Sequence, residues 1–398
     1  MRIGIDARLL SYRRGMGNYV YSLLNAIGLM DTRHEFVLFV DAAHARRTRA
    51  AEPVSGRWKL VGLPGSSYVI EEQLALPLLL LRHRVDLLHC PANTFPLLLP
   101  GKVKLAVTIH DVMYLMPECE LGGRSSIYQR LGRTYRALLV RSLKRRAASL
   151  LTVSHRSAAD IGSYLGIPRE RLTVTHEAAP PYFRRLDDSD RTSAVRARFG
   201  LGDDFILALG GIDPRKNTEA VFKAYCAFRR RSNLRHKLAV VGLPASAGAR
   251  FARIARHAGF ERDIVFPGFV SEEELVLLYN AASMFVYPSR YEGFGLPVLE
   301  AMSCGTPLIA SRAGAIPEVA GDAAILVDAE DTRAMSDSML ELAGNKSLRA
   351  ALVERGLRRA SQFSWERCAR ETIDAYERTR PYEYSVRDCP PAVSADPR

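Results

Sequence analysis

The chain has 398 residues, of which 47% are hydrophobic and 25% charged, and its formal net charge is +13. This length exceeds one ordinary hydrophobic core and predicts two domains. No apolar run approaches the roughly 20 residues that a membrane-spanning helix needs, and the N-terminus lacks the apolar segment of a signal peptide. The composition therefore argues against an integral membrane protein, and we expect a cytoplasmic one.

The positive charge is concentrated in the first half of the chain. Residues 1–182 hold 25 lysines and arginines against 14 aspartates and glutamates, a net charge of +11, whereas the rest carries only +2. A basic half favours an anionic partner such as a membrane surface, nucleic acid or a phosphorylated substrate. A nucleic-acid-binding protein is the non-enzyme alternative, but it depends on this charge alone, because the sequence has no RNA-binding aromatic motif and no helix-turn-helix pattern.

The six cysteines are scattered along the chain without any Cys-x-x-Cys pair. This spacing argues against a zinc site and against a disulfide framework. It is typical of a protein that stays in a reducing compartment.

Short β-rich runs alternate with longer amphipathic stretches. The predicted strands form two sets, first 2–6, 35–40, 87–89, 104–110 and 150–153, and then 205–210, 237–241, 264–266, 284–287, 307–310 and 324–327. Such alternation predicts parallel sheets with helices on both faces. We therefore expect an α/β protein with two doubly wound, Rossmann-like domains.

The predicted join between the domains is the run Pro180-Pro181-Tyr182-Phe183 and the polar stretch that follows it. Paired prolines and a charged segment cannot continue a helix or a central strand. This places the domains at residues 1–182 and 183–364 and a terminal helix at 365–380. Residues 381–398 are rich in proline and polar side chains, which predicts a poorly ordered tail.

Two candidate sites lie in the first half. Gly15-Met16-Gly17 follows the first strand and opens a predicted helix, so it could hold a phosphate or the acceptor, or simply form the turn. His110 ends an apolar strand beside Asp111. A histidine in such a place is more often structural than catalytic, and both interpretations stay open.

A third feature of the first half is the run from Arg124 to Arg146, which has eight basic residues and no acidic one. On a helical wheel one side carries Ile127, Leu131, Tyr135, Leu138, Leu139 and Leu143, and the other Arg130, Arg133, Arg141 and Lys144. A basic amphipathic helix can lie on an anionic membrane. The alternative is a domain helix with one core face and one solvated face.

In the second half, the loop Gly210-Gly211-Ile212-Asp213-Pro214-Arg215-Lys216-Asn217 follows a predicted strand and precedes a helix. The adjacent cations Arg215 and Lys216 can neutralise a diphosphate. A solvated basic turn is the alternative, but ligands of such folds bind at the carboxyl ends of parallel strands, where this loop lies.

The most informative segment runs from Tyr291 to Glu300. Glu292 and Glu300 flank a Gly-Phe-Gly turn, and Pro297 suits the first turn of a helix. The glycines permit a tight backbone, and a helix N-terminus directs free N–H groups at an anion. The pattern favours a nucleotide-sugar site over a buried turn with two solvated glutamates.

With these motifs the chain resembles the family 4 glycosyltransferases of the GT-B fold, from Arg2 to about Tyr376. The specific part is the Glu-x7-Glu signature, and the supporting parts are Pro214–Asn217, Thr108-Ile109-His110-Asp111, Thr152-Val153-Ser154 and Gly305-Thr306-Pro307. Ile5-Asp6-Ala7-Arg8 and Gly-x-Gly-Asn-Tyr most resemble the mannosyltransferase-like members that build bacterial O-antigen and exopolysaccharide. The resemblance implies two Rossmann-like domains that face each other across a cleft.

The resemblance also implies a role for each candidate residue. The catalytic set would be His110 near the reacting carbon, Glu292 at the donor sugar, and Arg215 and Lys216 at the diphosphate. The donor would also contact Gly211, Val270, Gly293, Phe294, Gly295, Leu296 and, at the ribose, Glu300. Gly15, Met16 and Gly17 would close over the phosphate or acceptor. One departure is the run Thr175-His176-Glu177-Ala178-Ala179, which stands where relatives usually have an Asn-Gly pair.

The activity implied by the resemblance is transfer of a hexose, with mannose as the first choice, with retention of anomeric configuration and without a metal or cofactor. The donor would be GDP-mannose or a UDP-sugar, and the acceptor a glycan or a lipid-linked glycan of a cell-surface polysaccharide. The protein would then lie in the cytoplasm, with a peripheral position at the inner face of the plasma membrane as an option, and would have no specific nucleic-acid partner. A GT-B epimerase or phosphorylase acting on a nucleotide sugar or glycan is the enzyme alternative.

Overall fold

The computed structural model describes residues 1–11, 15–41, 58–65, 67–117 and 127–379. They form two parallel sheets of seven and six strands, each with helices on both faces. The predicted α/β class with two Rossmann-like sheets is therefore confirmed. The predicted domain limits stay predictions, and the predicted tail, 381–398, lies outside the described residues.

The first sheet has the strand order β3-β2-β1-β4-β5-β6-β7, with every neighbouring pair parallel. Its strands are β1 Arg2–Asp6, β2 Glu35–Val40, β3 Trp58–Gly62, β4 Leu87–Cys90, β5 Lys104–Ile109, β6 Ser149–Thr152 and β7 Leu172–Val174. The sequence prediction missed the two edge strands. β3 is largely exposed and β7 has only three residues, so neither shows the buried apolar run of a central strand.

The second sheet has the order β10-β9-β8-β11-β12-β13 and is also parallel throughout. Its strands are β8 Phe205–Leu209, β9 Lys237–Val241, β10 Ile264–Gly268, β11 Met284–Tyr287, β12 Leu308–Ser311 and β13 Ala324–Val327. All six were predicted to within two residues. The carboxyl ends of central strands β8 and β11 lie side by side, which positions the loops that follow them.

The helices of the first half cover both faces of its sheet. They are α1 Met16–Gly28, α2 (Tyr68–Ile70, the π-helical Glu71–Ala75 and Leu76–Arg82), α3 Ile127–Arg141, α4 Leu143–Arg146 and α5 His155–Leu165. The predicted basic helix is thus split into α3 and α4, and its first residue, Arg124, lies outside the described residues. Leu139 and Leu143 are buried, but Leu131 and Leu138 are 67% and 62% exposed. The apolar side of the predicted helix is therefore only partly a core face.

The helices of the second half are α6 Ser189–Phe199, α7 Thr218–Arg230, α8 Ala245–His257, α9 Glu272–Ala281, α10 Leu296–Ser303, α11 Ile316–Ala320, α12 Thr332–Gly344, α13 Lys346–Ala360 and α14 Trp365–Glu377. The last of them, α14, returns to the first sheet and packs along α1. Its Tyr376 hydroxyl lies 2.6 Å from Nδ1 of His89 on β4, in the buried core. This helix therefore ties the two halves together.

Within the described part of the chain, no helix is long and apolar enough to cross a membrane. Cys90, Cys226, Cys304 and Cys368 are buried free thiols. The other two cysteines, Cys119 and Cys389, lie outside the described residues.

Candidate active site

Two loops meet at the carboxyl ends of β8 and β11. The first, residues 210–217, contains Arg215 and Lys216, and the second, residues 288–295, contains Glu292. The N–H of Arg290 donates to the carbonyl of Arg215 at 2.8 Å. Asn217, whose backbone is left-handed at φ 52°, donates from its side chain to the carbonyl of Pro288 at 3.2 Å. We name these segments the basic loop and the donor loop, and they form one unit.

Glu292 is the centre of this unit. Its Oε1 accepts hydrogen bonds from Lys216 Nζ at 2.8 Å and from the hydroxyls of Tyr287 and Ser289, each at 2.7 Å. Burial alone would raise the pKa of this carboxyl, but the positive charges of Lys216 and Arg215 and the hydrogen bonds outweigh it and lower the pKa to about 2. Glu292 is therefore a fixed anion at neutral pH.

The two cations of the basic loop already have partners. Lys216 binds Glu292 and Tyr287, and this pairing outweighs burial and raises the pKa of its ammonium. Arg215 forms a two-pronged pair with Asp213, with an Nη2–Oδ2 distance of 2.6 Å. A bound diphosphate would share or replace these partners, and the structure brings both cations to the same edge of the sheet as Glu292.

The donor loop also presents backbone donors. Gly295 has φ 107°, a conformation that favours glycine, and it precedes the first turn of α10. Within the described residues, the N–H groups of Gly293, Phe294 and Gly295 have no hydrogen-bond acceptor. Such groups at a helix start suit an anion or a sugar hydroxyl.

The remaining predicted donor contacts lie around this loop. Phe294 is buried, whereas Leu296 is partly buried at the first position of α10. Gly211 packs against the Lys216 stem, and its N–H donates to the Thr218 hydroxyl at 3.1 Å, so it is already paired. Val270 is partly buried between β10 and α9.

Glu300 lies one turn into α10 and differs from Glu292. Its only hydrogen-bond donor among the described side chains is the Tyr279 hydroxyl, at 3.2 Å. Burial raises the pKa of this carboxyl to about 7, and the Tyr279 bond opposes the rise only partly. The negative charge of Glu272, two residues beyond Val270, also contributes to the raised pKa. Near neutral pH this carboxylate can accept hydrogen bonds from a ligand.

His110 lies just past the end of β5, because the strand ends at Ile109, one residue earlier than the predicted strand 104–110. Its Nδ1 is 3.0 Å from Glu177 Oε1, and its Nε2 is 2.8 Å from the carbonyl oxygen of Pro91. The edge of Tyr19 packs against the ring with a centroid distance of 4.6 Å. The residue is 7% exposed, so its side chain is held on every side.

The donor loop packs directly against the first half at His110. A Cβ added to Gly293 would lie 2.5 Å from the carbonyl oxygen of His110. The Ser157 hydroxyl is within hydrogen-bonding distance of both carbonyls, 2.8 Å from His110 O and 2.9 Å from Gly293 O. Ser154 adds a bond to Gly293 O at 2.6 Å. The structure therefore brings His110, Glu292 and the donor loop together at the seam between the halves.

A second contact across the seam involves Glu318 of α11. Its two carboxylate oxygens accept the backbone N–H groups of His155 and Arg156 at 2.8 and 2.9 Å, so it caps the start of α5 from the opposite half. His176 Nε2 binds the same carboxylate at 2.8 Å. Burial would raise the pKa of Glu318, but these bonds outweigh it and lower the pKa.

Among the described residues, one group has side chains close enough to be considered as metal ligands. It consists of His155, His176 and Glu318, whose ligand atoms all lie within 4.8 Å of one another. His155 Nδ1, however, accepts from Arg169 Nη2 at 2.8 Å, and both Glu318 oxygens accept backbone N–H groups. The lone pairs that a metal would need are engaged, and a guanidinium lies beside them. The cluster is suited to holding the halves together and poorly suited to a metal.

The triplet Asp188-Ser189-Asp190 has the Asp-x-Asp spacing that marks metal sites in some glycosyltransferases of another fold. In this structure the triplet opens α6, and Asp188 accepts the N–H of Arg191 at 3.0 Å as a helix cap. It belongs to the connection between the halves and not to the donor loop.

Gly15-Met16-Gly17 starts α1, with Gly15 at φ 52°. Tyr19, one turn further along, is the residue that packs on His110. The Gly-x-Gly start is thus brought near His110, while the three residues before it lie outside the described part of the chain.

Sequence reasoning missed several residues that hold the site. Tyr287 ends β11 directly before the donor loop, and Ser289 lies within that loop. Both could have been found from their short distance along the chain from Glu292. Glu177 carried one signal, its place in a run that departs from the family pattern. Ser157 and Glu318 gave no signal, since their partners lie 136 and 163 residues away.

Comparison with known proteins agrees with this architecture. The profile of the family described as Glycosyltransferase Family 4 matches residues 13–179, and that of Glycosyl transferases group 1 matches residues 191–359. The two profiles together cover most of the chain, which belongs to the family 4 (group 1) glycosyltransferases. The first profile ends at residue 179 and the second begins at residue 191, so the gap between them contains Pro180–Phe183 of the predicted join.

Two curated relatives come from Escherichia coli. O-antigen chain mannosyltransferase B is 35% identical over 231 residues, 58% of this chain and 61% of that protein. Serotype-specific mannosyltransferase WbdA is 31% identical over 236 residues, which cover 58% of this chain and 29% of the relative. The matched region thus spans under two thirds of the length of either relative.

Solved structures show the same fold. HepE of Anabaena, solved in complex with UDP-glucose, aligns with a TM-score of 0.70 at 16% identity over 95% of this chain and 99% of its own. Together with the two parallel sheets, this likeness confirms the predicted GT-B architecture. At this identity it shows the fold alone.

Proposed function

We propose that the protein is a retaining glycosyltransferase that moves a hexose from a nucleotide diphosphate sugar to a glycan or lipid-linked acceptor of a cell-surface polysaccharide. The observation that carries the proposal is the unit of the basic loop and the donor loop, in which Lys216, Arg215 and free backbone N–H groups surround Glu292. Such preorganised donors stabilise a leaving diphosphate without reorganising during the reaction.

The reaction exchanges one bond at the anomeric carbon. The acceptor hydroxyl oxygen bonds to that carbon on the face from which the diphosphate departs, and the bond between carbon and phosphate oxygen breaks. The hydroxyl proton passes to the departing diphosphate, so the products are a glycoside and a nucleoside diphosphate. Glu292 and the N–H groups of Gly293 to Gly295 would orient the sugar, Arg215 and Lys216 would balance the phosphate charge, and Glu300 would accept the ribose hydroxyls.

Mannose from GDP-mannose is the first choice of donor. Two relatives are named as mannosyltransferases, whereas the HepE structure holds UDP-glucose and keeps a UDP-sugar as the second choice. The decisive experiment incubates the protein with each donor and a lipid-linked or oligosaccharide acceptor and follows the product by NMR. An α-linked product from an α-linked donor supports the proposal. The proposal is contradicted if the protein neither transfers nor hydrolyses the sugar with any donor and acceptor, or if the anomeric configuration is inverted.

An anionic membrane surface at the inner face of the plasma membrane is the proposed place of action. Gln73 of α2 binds both the Tyr135 hydroxyl of α3 and the N–H of Leu97, each at 2.8 Å, so α2, α3 and the loop at Leu97 adjoin. This surface exposes seven leucines, Leu74, Leu78, Leu81, Leu97, Leu98, Leu131 and Leu138. Exposed arginines and lysines of α3 and α4 stand beside them, as in a peripheral membrane surface.

Liposome flotation tests this place of action. Anionic vesicles should carry the protein and neutral ones should not, and Leu131→Ser with Leu138→Ser should weaken the binding several-fold. Leu29→Ser, at a leucine that is 76% exposed just past the end of α1, is the matched control and should change little. Equal flotation with neutral and anionic vesicles contradicts the proposal.

A further inference from the structure

The ring of His110 has an acceptor at each nitrogen. A backbone carbonyl has no proton to give, so the nitrogen that faces Pro91 O at 2.8 Å, Nε2, must carry its own. The other nitrogen, Nδ1, faces a carboxylate oxygen of Glu177 at 3.0 Å. The geometry therefore gives Nε2 its own proton and leaves one further proton between Nδ1 and the Glu177 carboxyl; carried by Nδ1, that proton makes the ring an imidazolium opposite a carboxylate.

The surroundings favour this charge state. Both side chains are nearly buried, at 9% and 5% exposure, and a buried carboxylate without a counter-charge is costly. The other titratable groups that face the pair are Asp111, His89 on β4, Tyr19 on α1 and Cys368 on α14. None of these is a cation at neutral pH, because burial and the charge of His110 lower the pKa of His89 to about 3. His110 is thus the counter-ion of Glu177.

The pair stands directly beneath the donor loop. The carbonyl of His110 shares the Ser157 hydroxyl with the carbonyl of Gly293, and a side chain at Gly293 would collide with it. A cation fixed at this point adds a positive charge where a departing diphosphate becomes more negative. Glu177 itself lies one residue beyond the His176 that binds Glu318, in the run that replaces the family's Asn-Gly pair.

We propose that Glu177 is a positioning residue that holds the His110 ring in place and keeps it an imidazolium during glycosyl transfer. This inference rests on the proposed function for its consequence and on the hydrogen bonds for its geometry. Glu177 touches the histidine and not the substrate. Burial would lower the pKa of His110, but the bond and the charge of Glu177 outweigh burial and raise it. The imidazolium is therefore present below this raised pKa and is lost as the pH rises through it.

The test compares Glu177→Gln with the wild type and with Glu170→Gln, which removes a negative charge at an exposed position of the same half. The first readout is an NMR titration of the His110 ring. The signal of this ring is identified as the one that disappears in His110→Asn. The wild-type ring should stay protonated at pH 7, and Glu177→Gln should lower its pKa by about one unit or more, which corresponds to ~1.4 kcal/mol. Glu170→Gln should leave the titration unchanged, and Glu177→Asp should restore part of it.

The second readout is the pH dependence of kcat/KM with the donor that the enzyme uses. Glu177→Gln should move the high-pH limb of the profile to lower pH, and at pH values above the wild-type pKa of His110 it should reduce kcat/KM about tenfold, since one pKa unit there changes the charged fraction about tenfold. A wild-type His110 that is neutral at pH 7, or a titration that Glu177→Gln does not shift, overturns the proposal. The titration needs no activity, so it decides the role of Glu177 even if no donor is ever turned over, an outcome that would contradict the proposed function alone.

Discussion

The two halves of the molecule build their sides of the cleft in different ways. In the second half, Glu292 finds Tyr287 and Ser289 within five residues, and Lys216 comes from the loop of the adjacent strand. In the first half, His110 depends on Glu177, which is 67 residues further along the chain. The donor side is thus assembled from short motifs, whereas the opposite side is assembled by tertiary packing. Substitutions in the second half should therefore act mainly by changing the charge of the site. Substitutions in the first half should act mainly by changing how the two halves pack against each other.

The largest expected effect is at the centre of the donor side. Glu292→Gln removes the anion that holds Lys216 and that would orient the donor sugar, and kcat/KM should fall by ~10²–10³-fold, as for loss of a preorganised electrostatic contact. The matched control is Glu330→Gln, which removes an exposed partner of Arg290 beside the same loop. It should change kcat/KM less than threefold or so, because exposed ion pairs contribute little. Equal losses in the two variants would contradict a special role for Glu292.

The next effect should come from the seam. Gly293→Ala places a methyl group 2.5 Å from the carbonyl oxygen of His110, closer than such contacts allow, so the halves must move apart. We expect a loss of about 10–100-fold in kcat, because misplacing reacting groups by an ångström has effects of this size. Gly344→Ala is the control, since an added Cβ there meets no atom within 4 Å. A Gly293→Ala enzyme with normal kcat would show that this contact is not needed for turnover.

A smaller effect concerns the pH dependence of nucleotide binding. The pKa of Glu300 is about 7, so the carboxylate that would accept ribose hydroxyls forms only as the pH rises through that value. The Kd of a nucleoside diphosphate should therefore decrease up to about tenfold between pH 6 and pH 8, and calorimetry at several pH values measures it. Glu300→Gln should abolish this dependence. A Kd that rises with pH in the wild type would contradict the assignment.

Glu300 also makes a prediction for stability. Because its folded-state pKa is raised above the value of an unfolded chain, the carboxyl is more stable protonated, and its contribution to stability is lost as the pH rises from about 4.5 to about 7. Glu300→Gln should therefore raise the Tm at pH 8 by a few degrees, roughly 1 kcal/mol, and leave it unchanged at pH 4. A stabilisation that is the same at both pH values would point to another cause.

The smallest expected effect is at Glu318, which caps α5 from the other half. Glu318→Gln keeps the shape but loses the charge, and closure of the two halves should weaken by about 1 kcal/mol, the usual cost of a lost helix cap. Because its pKa is lowered, the contribution of Glu318 is present above the unfolded value and lost as the pH falls through the folded one. Small-angle scattering should detect a wider particle in the variant, while Glu341→Gln on α12 should leave the scattering unchanged.

The same contrast explains what the sequence could predict. The strands of both sheets, apart from the edge strands β3 and β7, follow from apolar runs, and the meeting of the basic loop with the donor loop follows from their places after β8 and β11. Glu292 and Lys216 could be paired in this way, because adjacent parallel strands end at one edge. The partners of His110 could not, since no local pattern specifies which residue 67 positions away will face a ring nitrogen.

The exposed face of α3 shows a second limit of the sequence pattern. Leu131 and Leu138 share the apolar side of the helical wheel with Leu139 and Leu143, yet only the latter two are buried. The periodicity of 3.6 residues identifies an apolar side, but it does not indicate how much of that side a neighbouring element covers. The covered width depends on α2 and the sheet, which come from elsewhere in the chain.

The most direct test of the central claim is binding of nucleotide sugars to the joined loops. Thermal shift against UDP-, GDP-, ADP- and dTDP-sugars should identify one base that raises the Tm clearly, because a ligand that binds only the native state stabilises it by mass action. The shift should be lost in Glu292→Gln and Lys216→Ala and kept in Glu330→Gln. A Tm that no nucleotide sugar changes, or a shift that survives both loop substitutions, would contradict the account.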